Sequence, residues 1–127
     1  MAAPKVFTTT RLDEVLIVSL LVDVGELDWQ RLQSELDDAG DQLHNDGPRH
    51  VVIDFNQSSY FDSSMLAGIL HLTKLARGYN GRLAMCNVST RGRQILELAR
   101  FDLLWPICET RAAAVAMLQE KLGRDAS

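Results

Sequence analysis

The chain has 127 residues, 46% of them hydrophobic and 24% charged, a balance that supports one globular core, excludes a disordered chain and leaves no room for a second domain. Its formal net charge is −4 with the basic residues dispersed, so no cationic stripe of the kind that grips a phosphate backbone is present and nucleic acid is not an expected partner. No segment approaches the ~18 continuous apolar residues that span a bilayer, and no apolar export signal opens the chain, so a cytoplasmic protein without membrane insertion is expected.

In chain order, residues 5–9 read as a short edge strand and residues 15–22, apolar and β-branched, as a stronger one. Residues 11–14 serve as the hairpin loop, with no tight-turn dipeptide between the strands. Residues 25–28 (GELD) punctuate the chain; Asp28 suits an N-cap, and Trp29, Leu32, Leu36, Ala39 and Leu43 follow on one helical face. Turn chemistry at residues 45–48 ends that helix. Residues 50–55 are nearly all apolar, as a central strand buried on both faces requires.

A long apolar helix pattern starts at Ser63 and breaks at residues 78–81, before another strand at 82–87. Ser89 or Thr90 caps a third helix with Ile95, Leu96 and Ala99 as its buried positions. Residues 101–106 form an apolar connector, Ile107 and Cys108 a last short strand, and Thr110 caps a final helix through Val115, Leu118 and Leu122. The order ββαβαβαβα predicts an α/β fold, a mixed sheet of about five strands packed with about four helices, with parallel crossovers behind an antiparallel pair. It forms a single domain over residues 5–122, with short flexible ends at 1–4 and 123–127. Cys86 and Cys108 lie in strand-like runs and are expected as reduced, buried thiols; facing strands could bring them close, but a disulfide is disfavoured.

The junction before the long helix carries the functional signal. Asp62, Ser63 and Ser64 stand where backbone N–H groups lack intrahelical acceptors, so Asp and Ser suit the position as caps. The same groups and the helix dipole make the site receptive to an anion. A phosphate on Ser63 would add about 1.5 to 2 negative charges beside Asp62 without melting the helix. In the helix itself Met65, Leu66, Ile69, Leu70, Leu72, Leu75 and Ala76 occupy well over half the circumference, more than packing on a sheet demands. Met65, Ile69 and Ala76 form the expected core, His71, Lys74 and Arg77 face water, and the flank of Gly68, Leu72 and Leu75 is either spare apolar surface for docking or covered by further helices, core being the favoured reading for any single residue.

Signals of an enzyme are absent: no P-loop, nucleophile elbow or dinucleotide fingerprint occurs. His44, His50 and His71 fall on three different elements, so neither a metal site nor any other cofactor is expected. Ser63 and His71 lie eight residues apart, about 12 Å along a helix, too far for a nucleophile and its base, which must meet within roughly 3 Å. Glu35, Asp37, Asp38 and Asp41 read as a solvated face of the first helix. Asp54, at the carboxyl end of the central strand, either shares a rim with Asp62 and Ser63 or only accepts loop N–H groups.

The pattern VVIDFNQSSYFDSSMLAGILHL, followed by GRLAMCNVSTRGRQILELARFDLLWPI, resembles the STAS domain of bacterial anti-sigma factor antagonists. The likeness runs over roughly residues 15–122, and residues 25–28 match a second landmark of the family. It implies a STAS-like fold and a phosphorylation switch. The serine after the aspartate, here Ser63, is the acceptor for a kinase that is also an anti-sigma factor, with Ser64 as the alternative; a serine phosphatase resets it. The resemblance implies Asp28, Asp62, Ser63 and Ser64 as partner-facing residues; with Met65, which stands where the family has glycine, and Gly68 and Leu72 of the apolar flank, they make the expected partner-binding set. The chain departs from the family where Met65 replaces a glycine and where residues 21–24 lengthen the second strand. The alternative reading is a constitutive STAS scaffold or oligomerisation subunit, including a homodimer, without a phospho-switch; nucleotide binding at the Asp54/Ser63 rim ranks below both.

Overall fold

The computed structural model describes residues 7–21, 29–44, 47–56 and 63–126. Within them lie strands β1 (Phe7–Leu12), β2 (Val15–Leu20), β3 (His50–Asp54), β4 (Leu83–Cys86) and β5 (Ile107–Cys108), and helices α1 (Trp29–Gly40), α2 (Ser63–Arg77), α3 (Thr90–Leu98) and α4 (Arg111–Ala126). A 3-10 turn at Phe101–Leu103 joins α3 to β5. The five-stranded sheet has the order β1-β2-β3-β4-β5, with β1 antiparallel to β2 and the rest parallel. This is the α/β architecture and element order expected from the sequence.

Alternation along the strands sorts the side chains into two cores. Leu16, Val18 and Leu20 join Val51, Ile53, Leu83 and Met85 on one face, under Leu36 and Ala39 of α1, Met65, Ile69, Leu72 and Ala76 of α2, and Leu96 of α3. Val15, Ile17, Val52, Ala84, Cys86 and Cys108 face the other way, under Ala114, Val115 and Leu118 of α4. Because the parallel strands follow one another in sequence order, right-handed crossovers put α1, α2 and α3 on one face. The other face is left to α4, which packs onto small residues.

Local chemistry explains the element ends. The hairpin is tighter than expected: Leu12 pairs directly with Val15, and Asp13 takes a left-handed φ of 53°, a conformation its short polar side chain tolerates. β2 stops at Leu20 rather than running to residue 22, while residues 5 and 6 lie outside the described residues. Ser89 caps α3 by accepting from Gly92 N at 3.0 Å, and Thr110 caps α4 by accepting from Ala113 N at 3.1 Å. Ala99, expected in the core, is exposed because α3 ends at Leu98 and Arg100 turns the chain through a left-handed φ of 63°.

α2 ends in a left-handed cap. Asn80, at φ 61°, donates to Arg77 O at 3.0 Å and Gly81 to Ala76 O at 2.8 Å, a pairing that satisfies carbonyls left over by the last turn. Lys74 and Arg77 in that turn complement the helix dipole.

Candidate functional site at the carboxyl rim of the sheet

β3 runs buried from His50 to Asp54, Phe55 stays in the core and donates to Cys86 O at 3.0 Å, and α2 begins at Ser63. A short segment thus links the carboxyl end of the central strand to the helix start. Ser63 and Ser64 are the first two residues of α2. Asp28 and Asp62 lie outside the described residues, as do the side chains of both serines. The first turn of α2 carries no acidic residue, so its dipole meets no competing negative charge within the helix.

The rest of the expected docking set is corrected by burial. Met65 and Leu72 are each 0% exposed, and Gly68 is buried too. The reason is α1, which packs beside α2: a Cβ on Gly68 would lie 2.9 Å from Leu36 Cδ1. Leu75 is partly buried against the same core and sits where a side chain on Gly40 would stand. The flank is therefore not spare surface but a helix–helix contact built over two glycines, the alternative in which another helix covers it. Met65, the departure from glycine, folds inward, its Cε 3.8 Å from where a Gly68 Cβ would be, so its bulk fills core rather than rim.

The open face of α2 is a different one. Ala67, Leu70, His71 and Lys74, with Gln33 and Leu36 of α1, line a groove of about 310 Å³. Leu70, expected on the apolar stripe, is 43% exposed there. His71 Nε2 lies 2.7 Å from Asp37 Oδ1 and ties the two helices along the groove.

Asp54 belongs to the opposite side of the sheet. Like Val52, two residues before it, it points toward α4, and its carboxylate is 3% exposed. Oδ1 accepts from Asn56 N at 2.9 Å and from Asn87 Nδ2 at 3.0 Å. Oδ2 accepts from Arg111 Nε at 2.9 Å, and Arg111 Nη2 donates to Ser19 Oγ at 2.7 Å. Burial works to raise the Asp54 pKa, but the donors from Asn87, Asn56 and Arg111, with the Arg111 charge, outweigh it and hold the carboxyl below its usual value. Asp54 accepts a loop N–H group, as the plainer of the two readings had it, and is engaged with α4 as well.

Asn87 and Arg111 were not singled out by the sequence. Asn87 carries a local signal, an Asn closing a strand, and takes a φ of 56°; Arg111 offers none, being a cation after a helix cap. Cys86 and Cys108 are register partners on β4 and β5 and are free thiols. Burial, with the nearby Asp54 charge, pushes Cys86 up to about 12, and burial raises Cys108 as well. Both are therefore held as neutral thiols, poor nucleophiles. His50 accepts from Arg82 N through Nδ1 at 3.0 Å, a role at the start of two strands. Among the described residues no group of His, Cys, Asp and Glu could hold a metal ion.

Comparison with known proteins agrees with this architecture. The family model described as "Mlab, STAS domain" matches residues 8–106. The Bordetella bronchiseptica protein BtrV, provisionally named an anti-sigma factor antagonist, is 29% identical over 117 residues, covering 92% of this chain and 97% of its own. A Thermotoga maritima structure, also provisionally named an anti-sigma factor antagonist, superposes with a TM-score of 0.76 at 18% identity, covering 89% of this chain and 94% of its own. The anti-sigma factor antagonist SpoIIAA of Bacillus in its unphosphorylated form gives 0.73 at 18% identity, covering 90% and 96%.

Proposed function

The chain belongs to the STAS domain family and is similar to its anti-sigma factor antagonists, and we propose that it works as such an antagonist, switched by phosphorylation of Ser63. In this reading the unmodified protein binds an anti-sigma factor that is also a serine kinase. Phosphate on Ser63 ends that contact, and a serine phosphatase restores it. The protein acts by binding, without catalysis of its own.

One observation carries the reading: α2, the helix that follows the central strand in the chain, begins at Ser63, while its inner face is sealed by Met65, Ile69, Leu72 and Ala76. A helix anchored in this way can accept negative charge at its amino end, where the dipole favours it, without losing its packing. The partner surface then changes while the fold stays. In this reading the partner contacts Asp28, Asp62, Ser63 and Ser64, and the described part of that surface is Ala67, Leu70, His71 and Lys74 of α2. That SpoIIAA has been solved in both phosphorylated and unphosphorylated forms supports a fold that tolerates the modification.

Incubation with the cognate kinase and ATP, followed by peptide mass mapping, tests the reading. A single phosphate on Ser63, abolished by Ser63→Ala, is expected. Phosphate persisting in that variant would move the acceptor to Ser64, and an unmodified peptide would remove the switch.

A second reading is favoured by a separate observation. Leu98, Leu103 and Leu104 are 87%, 75% and 65% exposed around the corner between α3 and β5, an apolar cluster of the kind that marks an interaction surface. A constitutive STAS scaffold, including a homodimer, would cover it. No helix among the described residues is long and apolar enough to cross a membrane.

A further inference from the structure

β5 is only 2 residues long and pairs with Met85 and Cys86 of β4, whereas β3 pairs with β4 from Leu83 onward. Leu83 and Ala84 therefore have a strand on one side and none on the other among the described residues. The gap beside them opens into a cavity of about 540 Å³ at the amino edge of the parallel strands, the edge opposite to the one where Asp54 ends β3. With no strand closing the gap, both layers reach it: Thr73 and Arg77 of α2 from one face, Leu118 of α4 from the other.

The lining is divided by chemistry. Leu83, Leu104, Trp105, Pro106 and Leu118 supply apolar wall, and Trp105 is backed by Phe101, their ring centroids 4.8 Å apart. Arg77, Asn80 and Arg82 supply donors. The cap of α2 brings these together: the helix ends at Arg77, Asn80 turns the chain at φ 61°, and β4 starts at Leu83, so a guanidinium from each side of the turn lines one cavity. The carbonyls of Lys74, Ala76 and Arg77, which would compete for such donors, already accept from the N–H groups of Gly78, Gly81 and Asn80. Among the described residues no Asp or Glu lines the cavity, in a chain whose formal net charge is −4. Guanidinium forks match the oxygens of a carboxylate or phosphate. A concave site of this size, mostly apolar with a few convergent polar groups, suits a small molecule.

We propose that this cavity binds a small organic anion, a carboxylate or phosphate monoester on an apolar body, with Arg77 and Arg82 holding the anionic group and Leu83, Trp105 and Leu118 enclosing the rest. The site stands apart from Ser63 and does not depend on the switch.

Titration of the isotope-labelled full chain with phenyl phosphate and, separately, with benzoate, followed by backbone-amide and indole NMR shifts, tests the proposal. A saturable shift centred on Asn80, Leu83 and the Trp105 indole, with a Kd of about 1 mM or tighter for at least one of the two, is expected; the tighter one identifies the preferred anionic group. Benzyl alcohol, a ring without the charge, and inorganic phosphate, the charge without the ring, each bind about 10-fold or more weakly. Arg77→Gln, at an exposed position, weakens the better anion about 10-fold. Arg11→Gln, which removes the same charge from β1 at the far edge of the sheet, changes it by less than about 2-fold. Shifts that do not saturate by about 10 mM with either anion, inorganic phosphate binding as tightly as phenyl phosphate, or an affinity untouched by Arg77→Gln would each overturn the site.

Discussion

Replacing Gly81 by alanine adds one methyl group at the closest backbone approach found at any described glycine. A Cβ there would stand 2.5 Å from the Arg49 carbonyl carbon, inside contact distance of its oxygen, and 3.1 Å from Ala76 O. All three obstacles are backbone, and none is free to move. Arg49 N and His50 N both donate to Glu14 O, at 2.9 and 3.0 Å; Gly81 N donates to Ala76 O at 2.8 Å and Val51 N to Arg82 O at 2.9 Å. Ordinary carbon contacts need about 3.5 Å, so the backbone must part by roughly 1 Å. Losing two or three hydrogen bonds at about 1 kcal/mol each, with about 1–3 kcal/mol of overpacking, gives roughly 3–6 kcal/mol. That is a large share of the ~5–15 kcal/mol of a typical domain. Urea unfolding followed by circular dichroism reads the loss as a lower midpoint at unchanged slope. The control is Gly78→Ala, an exposed position whose Cβ comes no closer than 3.3 Å to Leu75 O and which is expected to stay within about 1 kcal/mol of wild type. A Gly81→Ala protein equally close to wild type would refute the crossing of β3 and β4 as described.

Other consequences can be checked on the same material. Asp54 has its folded pKa below the unfolded value of ~3.9, so its contribution to stability is present above about pH 4 and is lost as pH falls through the folded value. The stability gap between wild type and Asp54→Asn should therefore narrow as pH falls below about 4; a gap that widens on acidification contradicts the assignment. Cys86, pushed up to about 12 and buried, should resist iodoacetamide at about pH 8 in the folded protein, where an exposed thiol reacts readily; rapid alkylation mapped to Cys86 by mass spectrometry would show the β4–β5 face to be open. If Leu103 and Leu104 form a self-association surface, a Leu103→Ser/Leu104→Ser variant will be a smaller particle than wild type by light scattering. A wild type that is monomeric at every concentration removes the homodimer.

Much of the fold was legible because its signals are local. Residues 50–55 are nearly all apolar, as a strand covered on both faces requires, and the switch from strand to helix at Ser63 follows from a change of period. The hairpin turn was less legible, since Asp13-Glu14 is not a common two-residue turn and reveals itself only through the left-handed Asp13. The wide apolar surface of α2 was visible, but what covers it was not. Gly68 was legible only as part of the apolar flank and Gly40 carried no signal, whereas they are the places where α1 and α2 approach. The Asp54–Arg111 pair joins residues 57 positions apart, a separation at which no spacing rule operates. It shows only once α4 is laid across the second face of the sheet.

The central claim is that charge on Ser63 changes what the protein binds while leaving the fold intact. Calorimetric titration of the purified anti-sigma factor kinase with unmodified and with stoichiometrically phosphorylated protein tests it most directly, with unfolding midpoints measured on both forms. Affinity lower by about 10-fold or more for the phosphorylated form, a cost of about 1.4 kcal/mol, with unfolding midpoints that agree, is the expected result. Equal affinities, or a phosphorylated form that has lost its cooperative unfolding, would contradict it.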